Sequence, residues 1–228
     1  MIERDVNNTH SDDPKKSLSV ILDSMKMKSD FLSNLEIKSE EDRKKLFEVF
    51  FHHKKFYSQV AEETPLSEFS SVYSKMKDST LSYDERVNLF VSSIKGMSEK
   101  DSRDMARELL HYLQPSDFPL WNRWIWNEEK NTGSITYILK DDVTLKSKDD
   151  FLKAVNELKS ILSIFGLDTS NYYPTTIFLV YSYVRYLDYT THLAIDKKAA
   201  GLLPTHLSTT ALVLGLKPFL KVIKYAHS

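Results

Sequence analysis

The sequence predicts an all-α fold, a multi-helix bundle of about 8–10 helices with one small β-hairpin insert near residues 124–145. Three observations predict it. Apolar residues recur at three- and four-residue spacing along most of the chain. Ser39, Ser82, Ser98 and Ser147 each stand three positions before a carboxylate, Asp42, Glu85, Asp101 and Asp150, which is the order of a helix start. Gly96 and Gly166 follow apolar runs, where a left-handed residue closes a helix.

Residues 1–14 are polar, contain Asn7, Asn8, Asp12, Asp13 and Pro14, and show no apolar period, so they predict a disordered arm. Leu18, Ile21, Leu22 and Met25 then predict a helix over 16–28, with a continuation through Phe31 to Ile37. The Ser39 signal opens a helix over 40–62. Thr64-Pro65 opens one over 65–77, with proline where its missing N–H costs nothing. Ser82 and Ser98 open helices over 82–95 and 99–113. The helical period breaks at 121–145. There Trp124-Ile125-Trp126 and Ile135-Thr136-Tyr137-Ile138-Leu139 flank a polar turn with Gly133, and Val143-Thr144-Leu145 follows, a pattern for two or three short strands. Helices over 148–165, 174–196, 206–214 and 218–226 complete the chain. The organisation expected is an arm (1–14), an N-terminal helical half (15–113), a Trp-rich connector (114–146) and a C-terminal helical half (147–228).

With 228 residues, 41% hydrophobic and 28% charged, the chain reads as a soluble globular protein. It has no cysteine, which removes disulfides, thiolate metal sites and a Cys nucleophile, and fits a reducing, cytoplasmic setting. No basic region followed by an apolar run opens it, so no signal peptide is expected. Thr175 to Ile195 is long enough to span a bilayer. Arg185 and Asp188 would then sit near the midplane at ~2.5–3.5 kcal/mol each, so a buried helix and no membrane are expected. The formal charge is −1. Residues 190–228 hold five lysines against Asp196 alone, hence +4, leaving −5 for residues 1–189. The basic end is C-terminal.

All three tryptophans, Trp121, Trp124 and Trp126, fall within six residues. Tryptophan is the largest apolar side chain and carries an N–H that wants a partner. Such a cluster is either the packing centre between two helical halves or a recognition surface. Asn122 and Arg123 between the rings could add an amide and a guanidinium, which with indole faces can stack a base or grip a peptide.

Leu110-His111-Tyr112-Leu113-x-Pro115-x-x-Phe118-Pro119-Leu120-Trp121-Asn122 resembles the Leu-x-x-x-x-Pro-x-x-Phe-Pro-Ile-x-Asp stretch of proteins with the helix-hairpin-helix DNA glycosylase fold, with Asn122 where they carry an acid. Leu203-Pro204-Thr205-His206-Leu207-Ser208-Thr209-Thr210-Ala211 is similar to that family's Leu-Pro-Gly-x-Gly-x-x-Thr-Ala hairpin at four positions. Thr205 and Leu207 replace both glycines, and the stretch follows the proline segment rather than preceding it. The resemblance implies a DNA-processing enzyme, with Asp188 the nearest candidate for its acid.

On the Tyr-rich helix, Val180, Tyr183, Val184, Leu187, Thr191 and Ala194 project as the core face. Tyr181, Arg185, Asp188 and His192 align on its flank, with Asp188 in helical contact range of both Arg185 and His192. Asp–His pairing can orient a general base, yet no nucleophile stands at a defined offset. A polar network anchoring the helix explains the same residues. His52-His53 point about 100° apart on a helix and cannot easily share an ion, so no metal and no cofactor are expected. Lys217, Lys221 and Lys224 would stripe the second helix of a helix-turn-helix-like pair within 205–226, suited to phosphate contacts; against this, that helix begins with Pro218-Phe219-Leu220, offers few base-reading side chains, and has apolar residues that suit simple core packing.

The function expected is non-catalytic binding of a macromolecular partner, another protein, through Trp121, Asn122, Arg123, Trp124 and Trp126 together with Tyr181, Arg185, Asp188 and His192. Nucleic-acid binding through Lys217, Lys221 and Lys224 is the alternative, and the glycosylase-like enzyme a second one.

Overall fold

Each of the four serine signals caps a helix. Ser39 and Ser82 form reciprocal boxes, the hydroxyl accepting from the N–H of Asp42 or Glu85 while that carboxylate accepts from the serine N–H. Ser98 and Ser147 accept from Asp101 and Asp150. In this computed structural model, residues 14–140, 142–194 and 206–220 are described, without the side chains of 14–17, 187–194 and 206–208. Residues 1–13 of the arm and most of the 218–226 helix lie outside them.

The described elements are α1 (Pro14–Asn34), α2 (Glu40–Glu48), α3 (Tyr57–Glu63), α4 (Leu66–Met76), α5 (Tyr83–Ser93), α6 (Glu99–Leu113), α7 (Lys148–Ile164), α8 (Tyr173–Ala194) and α9 (His206–Val213). Short 3-10 turns occupy Lys54–Phe56 and Ser134–Tyr137. The all-α class holds. Among the described residues there is no strand and no helix long and apolar enough to cross a membrane.

α6 is the hub. It packs against α1 and α5, and most of its second half is buried, including Met105, Leu109, Leu110 and Tyr112. α4 packs on α5, α7 on α8, and α8 on both α9 and the 134–137 turn.

Two expectations are corrected. The helix expected over 40–62 breaks after Glu48, because tertiary contacts override local propensity. Phe50 turns fully inward beneath the Lys28 ammonium, 4.8 Å from its ring, and the Val49 carbonyl faces Gly215. The hairpin near 124–145 is replaced by turns. The Asn122 carbonyl accepts from Ile125 and Trp126 N–H (3.0 and 2.9 Å), which curls the segment expected to be the first strand. A single antiparallel bridge joins Asn127 and Thr132. Ile135, expected in the second strand, is buried on the 3-10 turn while Ile138 is exposed.

The C-terminal elements are pinned at Leu214–Gly215. The Leu214 carbonyl accepts from Lys28 Nζ (2.9 Å) and from the Tyr112 hydroxyl (3.4 Å). Gly215 is left-handed, at φ +68°, and a Cβ there would lie 2.1 Å from the Val49 oxygen. The turn therefore fits only with glycine at its tip.

Candidate functional site

The connector starts from the end of α6. There His111 is wholly buried, its Nδ1–H donating to the Phe118 carbonyl (2.9 Å) while Nε2 accepts from the Thr176 hydroxyl (3.3 Å). This bond fixes the exit path through Pro115 and Pro119 and delivers the Trp segment onto α7. Trp126 stacks on Trp121 (5.9 Å) and on Phe151 of α7 (5.5 Å), and Trp121 meets Phe151 at a tilt (5.1 Å), all three rings buried. The Arg107 guanidinium covers the outer face of Trp121 at 3.7 Å. Trp126 donates its N–H to Asn131 Oδ1 (3.1 Å), and the Trp121 N–H and the Asn122 amide nitrogen are buried with no hydrogen-bond partner among the described residues.

Trp121, Asn122 and Trp126 are thus core, and present nothing to solvent. Three large apolar rings that can stack gain more by burial than by exposure. Arg123 is engaged at the edge of this core: its backbone N–H and Nε donate to Asp104 (3.0 and 2.6 Å), and Nη2 to Asp101 (2.6 Å). Burial pushes the Asp104 carboxyl up, against the opposing pull of Arg123.

Trp124 differs from its neighbours. It is half-buried, between the ring of His52 (5.8 Å) and that of Tyr183 on α8 (5.6 Å). His52 in turn meets Phe51 edge-on at 5.0 Å. One turn along α8 from Tyr183, Tyr186 stacks on Tyr137 of the 3-10 turn at 4.0 Å, the two being 40% and 47% exposed. Phe51, His52, Trp124, Tyr183, Tyr186 and Tyr137 therefore form a part-exposed aromatic strip across segments far apart in sequence.

The strip is electrically neutral around pH 7. Burial pushes the His52 imidazole below its ordinary range, outweighing the raising effect of Glu108 and Asp104. Burial, then the hydrogen bond with Tyr186, pushes Tyr137 up to about 12, and burial raises Tyr183. Lys54 lies over Phe51 at one end, 5.3 Å from the ring.

Arg185 is exposed and Tyr181 half-buried. At 100° per residue both point about 160° away from Tyr183, so α8 separates them from Trp124. The side chains of Asp188 and His192 lie outside the described residues, as do Lys221 and Lys224. Lys217 is exposed. Of the α8 residues expected beside Trp124, the two whose side chains are described, Tyr181 and Arg185, do not meet it. The α8 residues that do meet it or continue its strip, Tyr183 and Tyr186, stand three apart, a spacing that sets two side chains on one helical face. Phe51, His52 and Tyr137 had no such signal, because their approach depends on the break after α2 and on the 3-10 turn.

The stretch resembling the glycosylase family forms the end of α6 and the turn into the connector, with Asn122 buried at the position of the family's acid. The second such stretch is described only from His206. Among the described residues no group of three or more His, Asp or Glu side chains is placed to hold a metal ion. No family model, no curated protein and no solved structure matches this chain.

Proposed function

We propose that this protein acts by binding another protein through the aromatic strip centred on Trp124. One observation carries the reading. Of three clustered indoles, two are sealed in the core and the third is held at the surface between His52 and Tyr183. A half-exposed tryptophan in a row of rings suits an interface anchor, since tryptophan and tyrosine supply large contact area at little entropic cost.

Single-stranded nucleic acid also stacks on such rings. It needs free cations to follow its phosphates. Here Arg123, beside Trp124 in sequence, is committed to Asp101 and Asp104, while Lys54 caps only the Phe51 end. A protein partner fits a neutral strip better.

The test is capture from an extract of the source cells by the full chain, with the bound protein identified and titrated. Trp124→Ala is expected to weaken binding at least tenfold, on the order of a hot-spot truncation, while the thermal midpoint stays near that of the wild type. Binding that survives Trp124→Ala, or oligonucleotide binding at low salt that Trp124→Ala abolishes, would overturn the assignment.

A further inference from the structure

The polar groups of the aromatic strip are unequally engaged. Among the described residues the Trp124 N–H and the Tyr183 hydroxyl have no hydrogen-bond partner, and neither atom is sealed from solvent. Tyr137 and Tyr186, in contrast, are joined to each other by a side-chain hydrogen bond. An indole N–H can only donate, and a phenol donates readily. The two rings that meet at 5.6 Å in the middle of the strip therefore carry two free donors side by side. The cation nearest in sequence, Arg123, is spent on Asp101 and Asp104, and Lys54 stands at the Phe51 end.

A segment that suits this surface is neutral, lays apolar groups on ring faces and brings acceptors. Strand addition needs an exposed sheet edge, and among the described residues there is no strand. An amphipathic helix uses its carbonyls internally and presents apolar side chains, which would leave both donors unmet in a dry contact. A polyproline II segment has no internal hydrogen bonds, so its carbonyls are free to accept, and each proline adds an apolar ring and no competing N–H. It is also stiff before it binds, so little ordering is left to do. One turn of it advances ~9 Å. Trp124 lies 5.8 Å from His52 and 5.6 Å from Tyr183, so no more than about one such turn separates the outer two rings. Prolines one turn apart fit on either side of Trp124.

We infer that the partner docks here as a proline-rich polyproline II segment, its rings against His52, Trp124 and Tyr183 and its carbonyls accepting from the Trp124 N–H and the Tyr183 hydroxyl. This rests on the strip being a protein-binding surface and adds the chemistry of the segment it takes.

Calorimetric titration of the full chain with end-blocked decaproline tests this, with a Gly-Ser peptide of equal length as the control. Decaproline is expected to bind saturably, and the Gly-Ser peptide at least tenfold more weakly. Trp124→Ala is expected to weaken decaproline binding at least tenfold. Trp124→Phe and Tyr183→Phe, which keep a ring and remove one donor, are each expected to weaken it about fivefold. The thermal midpoint of Tyr183→Phe should stay at that of the wild type, since its hydroxyl bonds to nothing in the fold. No saturable binding of decaproline, equal binding of the Gly-Ser peptide, or indifference to both Phe variants overturns the inference. A protein captured through Trp124 that decaproline does not displace also overturns it while leaving the strip as a binding surface, whereas capture indifferent to Trp124→Ala removes the surface itself.

Discussion

The Lys28 ammonium meets the Glu108 carboxylate at 3.1 Å with both side chains buried, joining α1 to α6 at the centre of the molecule. The ammonium also lies 4.0 Å from the Tyr112 ring centroid and donates to the Leu214 carbonyl, so one charge ties three parts of the chain together. Burial drives the Lys28 pKa down, and the Glu108 charge works against that shift. Neither ion is comfortable without the other.

Breaking this pair from one side is expected to be costly. Lys28→Met or Glu108→Leu should each lose about 3–5 kcal/mol, because an uncompensated group stays buried. The double apolar change Lys28→Met/Glu108→Leu should lose far less than the two together. Urea unfolding of the four proteins measures the coupling, and simple additivity would show that the pair contributes no specific interaction.

Acid is expected to weaken the fold before most carboxylates titrate. Burial, the largest cause for each, pushes His53 and His111 down to about 4. In the unfolded chain both take up protons near pH 6.5. Between those values the unfolded state binds more protons, so stability is present at neutral pH and is lost as pH falls. The loss amounts to about 2 kcal/mol per histidine by pH 5. Urea midpoints at pH 7 and pH 5 test this, with His53→Gln expected to shallow the dependence. A midpoint unchanged between the two would show that these imidazoles are not held neutral.

Two glycines separate backbone strain from packing. At Gly166, φ +82°, an added Cβ would meet nothing within 4 Å, whereas at Gly215 it would meet the Val49 oxygen at 2.1 Å. Gly166→Ala is therefore expected to lose only the left-handed penalty, about 1–2 kcal/mol. Gly215→Ala should lose clearly more, since the Val49 turn must also move. Equal losses in thermal unfolding would mean that the 214–215 turn is not pinned.

The helices were legible because their signals are local. Ser39, Ser82, Ser98 and Ser147 mark the starts of α2, α5, α6 and α7 within a few residues, and a cap is decided by its own first turn. The break after Glu48 was not legible, since it depends on Gly215 lying against Val49, far along the chain. The connector misled for a related reason. Trp124-Ile125-Trp126 alternates as a strand would, but Ile125 and Trp126 are both buried because the Asn122 turn replaces the pleat. The indole cluster itself was legible, but not which indole faces outward, since that is set by Phe151, His52 and Tyr183.

Emission from the three tryptophans should divide two to one. Trp121 and Trp126 are sealed against Phe151, while Trp124 is half-exposed. A neutral quencher such as acrylamide should therefore reach mainly Trp124, and Trp124→Phe should remove most of the quenchable signal. Stability divides the other way. Trp121→Ala or Trp126→Ala opens a cavity beside Phe151 and is expected to lose about 3–5 kcal/mol, whereas Trp124→Ala should lose distinctly less. If Trp124→Phe leaves quenching unchanged, the accessible indole is another one, and the strip would no longer present an anchor to a partner.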